Sequence, residues 1–284
     1  MQPEDVPLAE RLSAEAFYDL DMRIPRPYET EPKKRPPERA EGWNRRTLRF
    51  LDTDPEGCVV AVDEHGLAGF ATSIRREDAV WGLVTFAVRP GLQGQGVGKR
   101  ILSEAIQHGA GCPRWMLSAS DDPKAVRRYR LAGFDLHPQM ALWGQVDRSA
   151  LPNVGGLREG SLDDVELLDR IDRVARGAGH GPDHEVLASM GTLVVDTAGR
   201  GYAYAHTSGP ALLAALDEET AVRLLWECLA RTADEHAVVG HVTAANQWAL
   251  DVGLAGRLTL GADGYLGIRG TAPPTTYLHN GALL

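Results

Sequence analysis

The sequence predicts a mixed α/β protein made of two copies of one fold, and three observations lead there. The length, 284 residues, is that of about two domains. Helical and strand patterns alternate through the first half in the order ααββ-β-α-β-α-β, which implies a mixed sheet with helices on both faces. The second half repeats the plan: Val60-Ala61-Val62-Asp63, Gly66 and Gly69-Phe70-Ala71 are echoed by Leu193-Val194-Val195-Asp196, Gly199 and Gly201-Tyr202-Ala203. The offset is 133 at the aspartate and 132 at the Gly-aromatic pair, which one deleted turn residue explains. A junction near 149–156 gives expected domains at 1–148 and 153–284.

Taken in order, Val6, Leu8, Leu12, Ala16 and Phe17 sit at helical spacing over 5–17, just after Pro3. Residues 21–38 are rich in proline and charge and read as a loop, followed by a helix over 39–51. Cys58 to Val62 and Leu67 to Ile74 flank Asp63-Glu64-His65-Gly66 as a hairpin. Val80 to Val88 is apolar enough to be a strand buried on both faces. A Gly-rich loop and a helix over about 97–109 come next, with Val97, Ile101, Leu102, Ala105 and Ile106 on one stripe. Trp115 to Ser118 is a short strand; Asp122-Pro123 caps and opens a helix that Gly133 closes; Phe134 to Val146 is a strand region. In the second copy the sequence predicts a capped helix from Ser161 to Val174, a helix over about 218–232, a strand from Ala237 to Thr243 and a short helix from Asn246. Gly261 to Leu284 is expected to end in a strand packed on the body or on a partner chain, which leaves room for a homodimer.

Composition excludes several classes. Hydrophobic residues make up 43% and charged residues 24%, a globular balance. No apolar run approaches the ~18 residues of a membrane span, and the acidic start, Met1-Gln2-Pro3-Glu4-Asp5, is unlike a signal peptide. Cys58, Cys112 and Cys228 have neither disulfide nor metal spacing, so a reduced, cytoplasmic setting is expected. The net charge of −9 divides into −1 over 1–150 and −8 over 151–284, which disfavours a nucleic-acid partner. All four lysines (Lys33, Lys34, Lys99, Lys124) lie in the first half, where a phosphate-bearing small molecule would sit; the acidic surplus suits a cationic substrate or simply a solubilising surface.

The chemistry concentrates in Arg89-Pro90-Gly91-Leu92-Gln93-Gly94-Gln95-Gly96-Val97-Gly98-Lys99-Arg100, between a buried strand and an amphipathic helix. Glycines there let successive N–H groups and the helix N-terminus converge on one anion, with Lys99 and Arg100 near for further charge. A P-loop needs Gly at 93 and Ser or Thr at 100, but Gln93 and Arg100 stand there; a Rossmann fingerprint needs Gly at 99, where Lys stands. The pattern that fits is Gln-x-x-Gly-x-Gly, filled by Gln93, Gly96 and Gly98.

With this loop the sequence resembles the GNAT superfamily of acyl-CoA-dependent N-acyltransferases. A second segment supports the resemblance: Asp122, Ala125, Tyr129, Gly133 and Phe134 follow the family's Asn-x-x-Ala-x-x-x-Tyr-x-x-x-Gly-Phe, with Asp in place of Asn. The match covers about 3–148 and implies a mixed, mostly antiparallel sheet. It also implies that Phe86, Ala87 and Val88 lie along the acyl-pantetheine arm of acetyl-CoA. Gln93, Gly94, Gln95, Gly96, Val97, Gly98, Lys99 and Arg100 would cradle its pyrophosphate, with Asp122 and Tyr129 completing the cofactor site. Tyr129 would protonate the departing thiolate, a phenol being matched to that weak acid; its plainer role is packing on its helix with Ala125. A neutral amine would attack the thioester directly while a backbone N–H polarises the carbonyl. Glu77 and Asp78 are candidate general bases, with solvated turn residues and a water-relayed base as the alternatives. Loop 21–38 and the helix after it would face the acceptor.

The second copy departs at the site. After Ala211 to Leu216 it runs straight into Asp217-Glu218-Glu219 and a helix, and three carboxylates there would repel a pyrophosphate. Asn246 and Ala249 echo the later motif, but Gly253-Leu254 arrives early and no Tyr is present. This copy reads as degenerate, completing the acceptor cleft or supporting the first domain; mycothiol synthases, tandem members whose catalytic copy is C-terminal, differ in this respect. His180 and His184 are four apart, but Gly181 and Pro182 between them argue against a helical metal face, and no metal is expected. The expected activity is acetyl transfer from acetyl-CoA to a small-molecule primary amine. A non-catalytic acyl-CoA sensor or a protein N-acetyltransferase is the alternative.

Overall fold

The computed structural model of the chain describes residues 1–29, 31–233 and 236–284. Helices α1 (Val6–Arg23) and α2 (Pro37–Thr53) lead into strands β1 (Cys58–Asp63), β2 (Gly66–Arg76) and β3 (Val80–Val88). Helix α3 (Val97–His108), strand β4 (Arg114–Ala119), helix α4 (Pro123–Leu131) and strand β5 (Asp135–Gly144) complete the first half. The second half contains β6 (Leu157–Glu159), α5 (Val165–Ala175), α6 (Asp183–Ala188), β7 (Thr192–Asp196), β8 (Gly201–His206) and β9 (Gly209–Ala215). It ends with α7 (Glu218–Ala230), β10 (Ala237–Thr243), α8 (Gln247–Ala255), β11 (Thr259–Arg269) and β12 (Tyr277–Leu278).

The elements agree with the sequence except where a boundary is set locally. Helix α1 runs past Phe17 to Arg23, because nothing stops it until Ile24, which precedes Pro25 and is pushed to φ −136° and ψ 81°. The expected loop over 21–38 therefore begins later, and residue 30 within it lies outside the described residues. Helix α2 starts at Pro37, which takes the first helical position, where a missing N–H costs nothing. The short β6 and α6 carry no clear periodicity that would announce them in the sequence.

The strands of the two halves exchange. A seven-stranded sheet has the order β1-β2-β3-β4-β11-β5-β10, and a five-stranded sheet has the order β12-β9-β8-β7-β6. Thus β11 of the second half lies between β4 and β5 of the first, while β5 pairs with β10 of the second. Strands β5 and β11 are the corresponding elements of the two copies, and they pair antiparallel, from Asp135↔Ile268 to Trp143↔Thr259. Antiparallel pairing of equivalent strands places a local pseudo-two-fold axis between them. The cores follow the exchange: Leu142 and Val146 pack among Leu224, Leu225, Val239 and Trp248. Phe50, Cys58 and Ile74 pack among Leu168, Tyr202 and Leu283. The repeat boundary at 149–156 divides the sequence, whereas the sheets and cores cross it. No helix among the described residues is long and apolar enough to cross a membrane.

Candidate active site

The site begins with a fork in the sheet. Strands β3 and β4 pair in parallel only from Val80–Leu83 to Arg114–Leu117, and beyond that point the ladder stops. Next to the fork the β2–β3 register slips from Thr72↔Thr85 to Ser73↔Leu83, so Val84 is an extra, bulged residue. Such a bulge re-aims main-chain groups. Past the fork, β3 leads to the Gly-rich loop and α3, and β4 leads to Asp122 and α4. Two helix N-termini, the positive ends of their dipoles, therefore lie at one opening.

The loop conformation depends on glycine. Gly91, Gly94 and Gly96 have φ of 88°, 86° and 91°, in the left-handed region that costs any other residue energy. Gly98 matters for proximity instead: a Cβ there would lie 3.2 Å from Cζ of Phe86, so α3 sits directly on β3. Among the described residues, the N–H groups of Gln93, Gly94, Gly96, Val97 and Gly98 find no acceptor within the chain. They form a row of unused donors at a helix N-terminus, an arrangement that can hold an anion.

A cleft of about 220 Å³ runs from this row into the fork. It is lined by Phe86, Ala87, Val88, Gln93, Gly94, Gly96, Gly98, Lys99, Asp122 and Tyr129 of the expected residues, and the structure brings these together. Gln95, Val97 and Arg100 do not line it; the Gln95 amide is turned back onto the Gly91 carbonyl at 2.8 Å. Asp122 serves mainly as a cap, accepting from the Lys124 N–H at 3.0 Å. Tyr129 is buried edge-on between Phe86 and Phe134, so its packing role is also present. Its hydroxyl makes no hydrogen bond among the described residues, and burial, with Asp122 nearby, pushes the phenol pKa up. Tyr129 therefore keeps its proton at neutral pH and can donate it.

Glu77 is corrected. It lies before β3, at the opposite end of a nine-residue strand from the loop, roughly 30 Å away at ~3.3 Å per residue. Its carboxylate is gripped by Arg173 of α5 at 2.6 to 3.1 Å, which holds its pKa below the usual range. Glu77 and Asp78 both have φ of 51° and form the β2–β3 turn, and Asp78 pairs with Arg75. Neither faces the cleft.

A polar cluster from both halves stands on the other side of the fork. Ser118 of β4 lines the cleft, 3.4 Å from Oε1 of Gln139 and 3.5 Å from Nδ1 of His241. Gln139 reaches Nε2 of His279 at 2.6 Å, and the rings of His241 and His279 stack at 4.3 Å. His241 has φ of 60° within a bulge of β10 between Val239 and Val242, which turns its ring into the cluster. Burial, helped by the charge of Arg26, pushes His241 down to about 4 and leaves it neutral. The segment after α1 closes the same side: Arg26 donates to the Tyr28 hydroxyl at 2.9 Å, and Tyr28 lies against Trp143 of β5 and Asp263 of β11. By sequence alone His241 reads as an ordinary strand residue. Gly240 before it, a glycine inside an apolar strand, is the available sign of a bulge.

The equivalent fork of the second copy is filled. Asp217 caps α7, accepting from the Thr220 N–H at 2.9 Å and pairing with Arg200. Where the first copy has Tyr129, the second has Gly253, and a Cβ there would lie 2.7 Å from Leu142 of β5.

Residues 14–134 match the model of the acetyltransferase (GNAT) family. No curated protein matches the chain by sequence. The fold is similar over 100% of this chain and 93% of the other to a Pyrococcus horikoshii protein assigned as an acetyltransferase, with TM-score 0.76 and 15% identity. A GCN5-related N-acetyltransferase from Kribbella flavida aligns over 95% of this chain and 69% of its own, with TM-score 0.60 and 15% identity. One from Sphaerobacter thermophilus aligns over 95% and 93%, with TM-score 0.57 and 15% identity.

Proposed function

From the match of residues 14–134 to the acetyltransferase (GNAT) family, we propose that the chain is a GNAT enzyme that transfers an acetyl group from acetyl-CoA to a primary amine of a small molecule, using the fork of its first half. The observation that carries this reading is the row of unused N–H groups from Gln93 to Gly98 opening into the cleft that holds Tyr129. The pyrophosphate would rest on those donors with Lys99 beside it, and the pantetheine arm would follow Phe86 to Val88 into the fork. The amine nitrogen attacks the thioester carbon; the C–N bond forms as the C–S bond breaks. Main-chain donors at the Val84 bulge polarise the carbonyl oxygen. Tyr129 gives its proton to the leaving thiolate. The proton shed by the amine leaves on the Ser118 side, where neutral His241 offers a lone pair.

Asp21 and Asp263, both pushed up by burial, stand with Arg26 and Tyr28 where the second half completes the wall, and a cationic amine would suit the two carboxylates. A cytoplasmic setting, where acetyl-CoA is available, belongs to this proposal. The test is thiol release on mixing the chain with acetyl-CoA and a panel of amines, with Tyr129→Phe alongside. Turnover with at least one amine is expected, with kcat lowered about a hundredfold in the variant while acetyl-CoA affinity is kept. Tight acetyl-CoA binding without turnover for every amine would replace this reading with that of a sensor.

A further inference from the structure

Buried within the second half, away from the fork, three side chains converge: Asp172 of α5, His180 of the following loop and His184 of α6. All three are fully buried, and their donor atoms lie within 4.8 Å of one another. Oδ2 of Asp172 is 2.8 Å from Nδ1 of His180 and 3.6 Å from Nε2 of His184. Oδ1 of Asp169, outside this group, is 3.2 Å from that same Nε2 and accepts from the Gly181 N–H at 2.9 Å. Donors around one zinc ion, at metal–ligand distances of ~2.0–2.2 Å, are separated by about 3–4 Å.

The distal atom of each side chain is already engaged. The Tyr202 hydroxyl donates to Oδ1 of Asp172 at 2.6 Å, and Nδ1 of His184 lies 3.1 Å from the Tyr204 hydroxyl. Nε2 of His180 faces the Leu284 carbonyl at 3.2 Å, an oxygen that also accepts from Arg176. Nε2 of His180 also lies 3.3 Å from the Tyr277 hydroxyl; in the tautomer in which it donates to the Leu284 oxygen, Nδ1 carries a lone pair. That lone pair would face the carboxylate of Asp172 at 2.8 Å. A cation between these two atoms would hold that tautomer, and Nε2 of His184, 3.6 Å from the same carboxylate oxygen, would be within its reach. Outer partners that orient each ligand while leaving its inner atom free are the usual surroundings of a metal site.

We propose that Asp172, His180 and His184 bind one zinc-class divalent cation. Two imidazoles and one carboxylate suit zinc. All three donors are fully buried among the tyrosines and Leu284, so the ion would be structural. It would tie α5 to the loop and to α6, whose Asp183 holds Arg76 of the first half at 2.6 Å. Asp169, whose side chain is 15% exposed, marks the way in. Gly181 and Pro182 do break a helical face, as the sequence predicts; the two histidines meet across a turn instead.

The test uses the full chain, purified without a histidine tag and stripped with a chelator. On adding Zn²⁺ we expect one ion per chain by elemental analysis and a Tm raised by about 5 °C or more. Titration with Co²⁺ should develop the visible absorption of a tetrahedral site, and His184→Gln should abolish that band. Should the variant fail to fold, the Co²⁺ spectrum of the wild-type chain decides alone. No band, substoichiometric zinc and an unchanged Tm would overturn the proposal.

Discussion

Replacing Gly96 by Glu separates the cost of backbone strain from the loss of an anion site. Gly96 has φ of 91°, and nothing lies within 4 Å of the place a Cβ would take, so a side chain fits but must hold a left-handed conformation. That costs about 1–2 kcal/mol of stability. Gly66, in the β1–β2 hairpin, has φ of 99° and is equally open, so Gly66→Glu carries the same strain far from the cleft. The carboxylate at 96 would also stand beside the bound pyrophosphate. At roughly 5 Å and an effective dielectric constant of ~20, each unit of phosphate charge is repelled by about 3 kcal/mol. Since ~1.4 kcal/mol is tenfold in affinity, even one such repulsion weakens binding by a hundredfold or more. Coenzyme A affinity by calorimetry and stability by urea unfolding would be measured on both variants. Both should lose similar stability, and only Gly96→Glu should lose coenzyme A. If that variant binds within threefold of the wild type, the diphosphate does not sit on these amides.

Three further outcomes follow from the geometry. Glu77→Gln should leave kcat and its pH profile unchanged, because the carboxylate binds Arg173 at the far end of β3; a tenfold fall in steady-state turnover would contradict that placement. Arg76→Met should cost about 3–5 kcal/mol in urea unfolding, since it strands Asp54 and Asp183, whose side chains are 3% and 1% exposed. A loss under 1 kcal/mol would show that this link between the halves is dispensable. His241 falls from 6.5 in the free side chain to about 4 when folded. The unfolded chain therefore takes up the proton first, and stability declines as pH drops through 6.5 toward 4, by roughly 3 kcal/mol in total. His241→Gln should flatten that part of the stability–pH curve, whereas an identical curve would place the ring in water.

What can be read in the sequence is whatever neighbouring residues determine among themselves. The boundaries of β3 and β10 and the start of α3 follow from local periodicity and breakers. The glycines at 91, 94 and 96 and the unused N–H groups beside them lie within a few residues of one another. Tyr129 can be placed because its helix begins at a cap and Pro123. Glu77 misleads for the complementary reason: proximity to the central strand in sequence does not say which end of that strand is the open one.

The sequence by itself determined a mixed α/β fold and a glycine-rich loop, at 91–98, that has no counterpart after Leu216 in the second half. Tertiary structure decided that β11 pairs with β4 and β5 with β10 in one sheet, that His241 lies beside Ser118 of the fork, and that His180 and His184 converge on Asp172. Periodicity records that a strand face is buried but not which partner buries it. Either copy's equivalent strand offers the same apolar face and backbone ladder, so only the assembled chain selects the pairing. The acceptor wall and the buried His–Asp cluster are consequences of that selection.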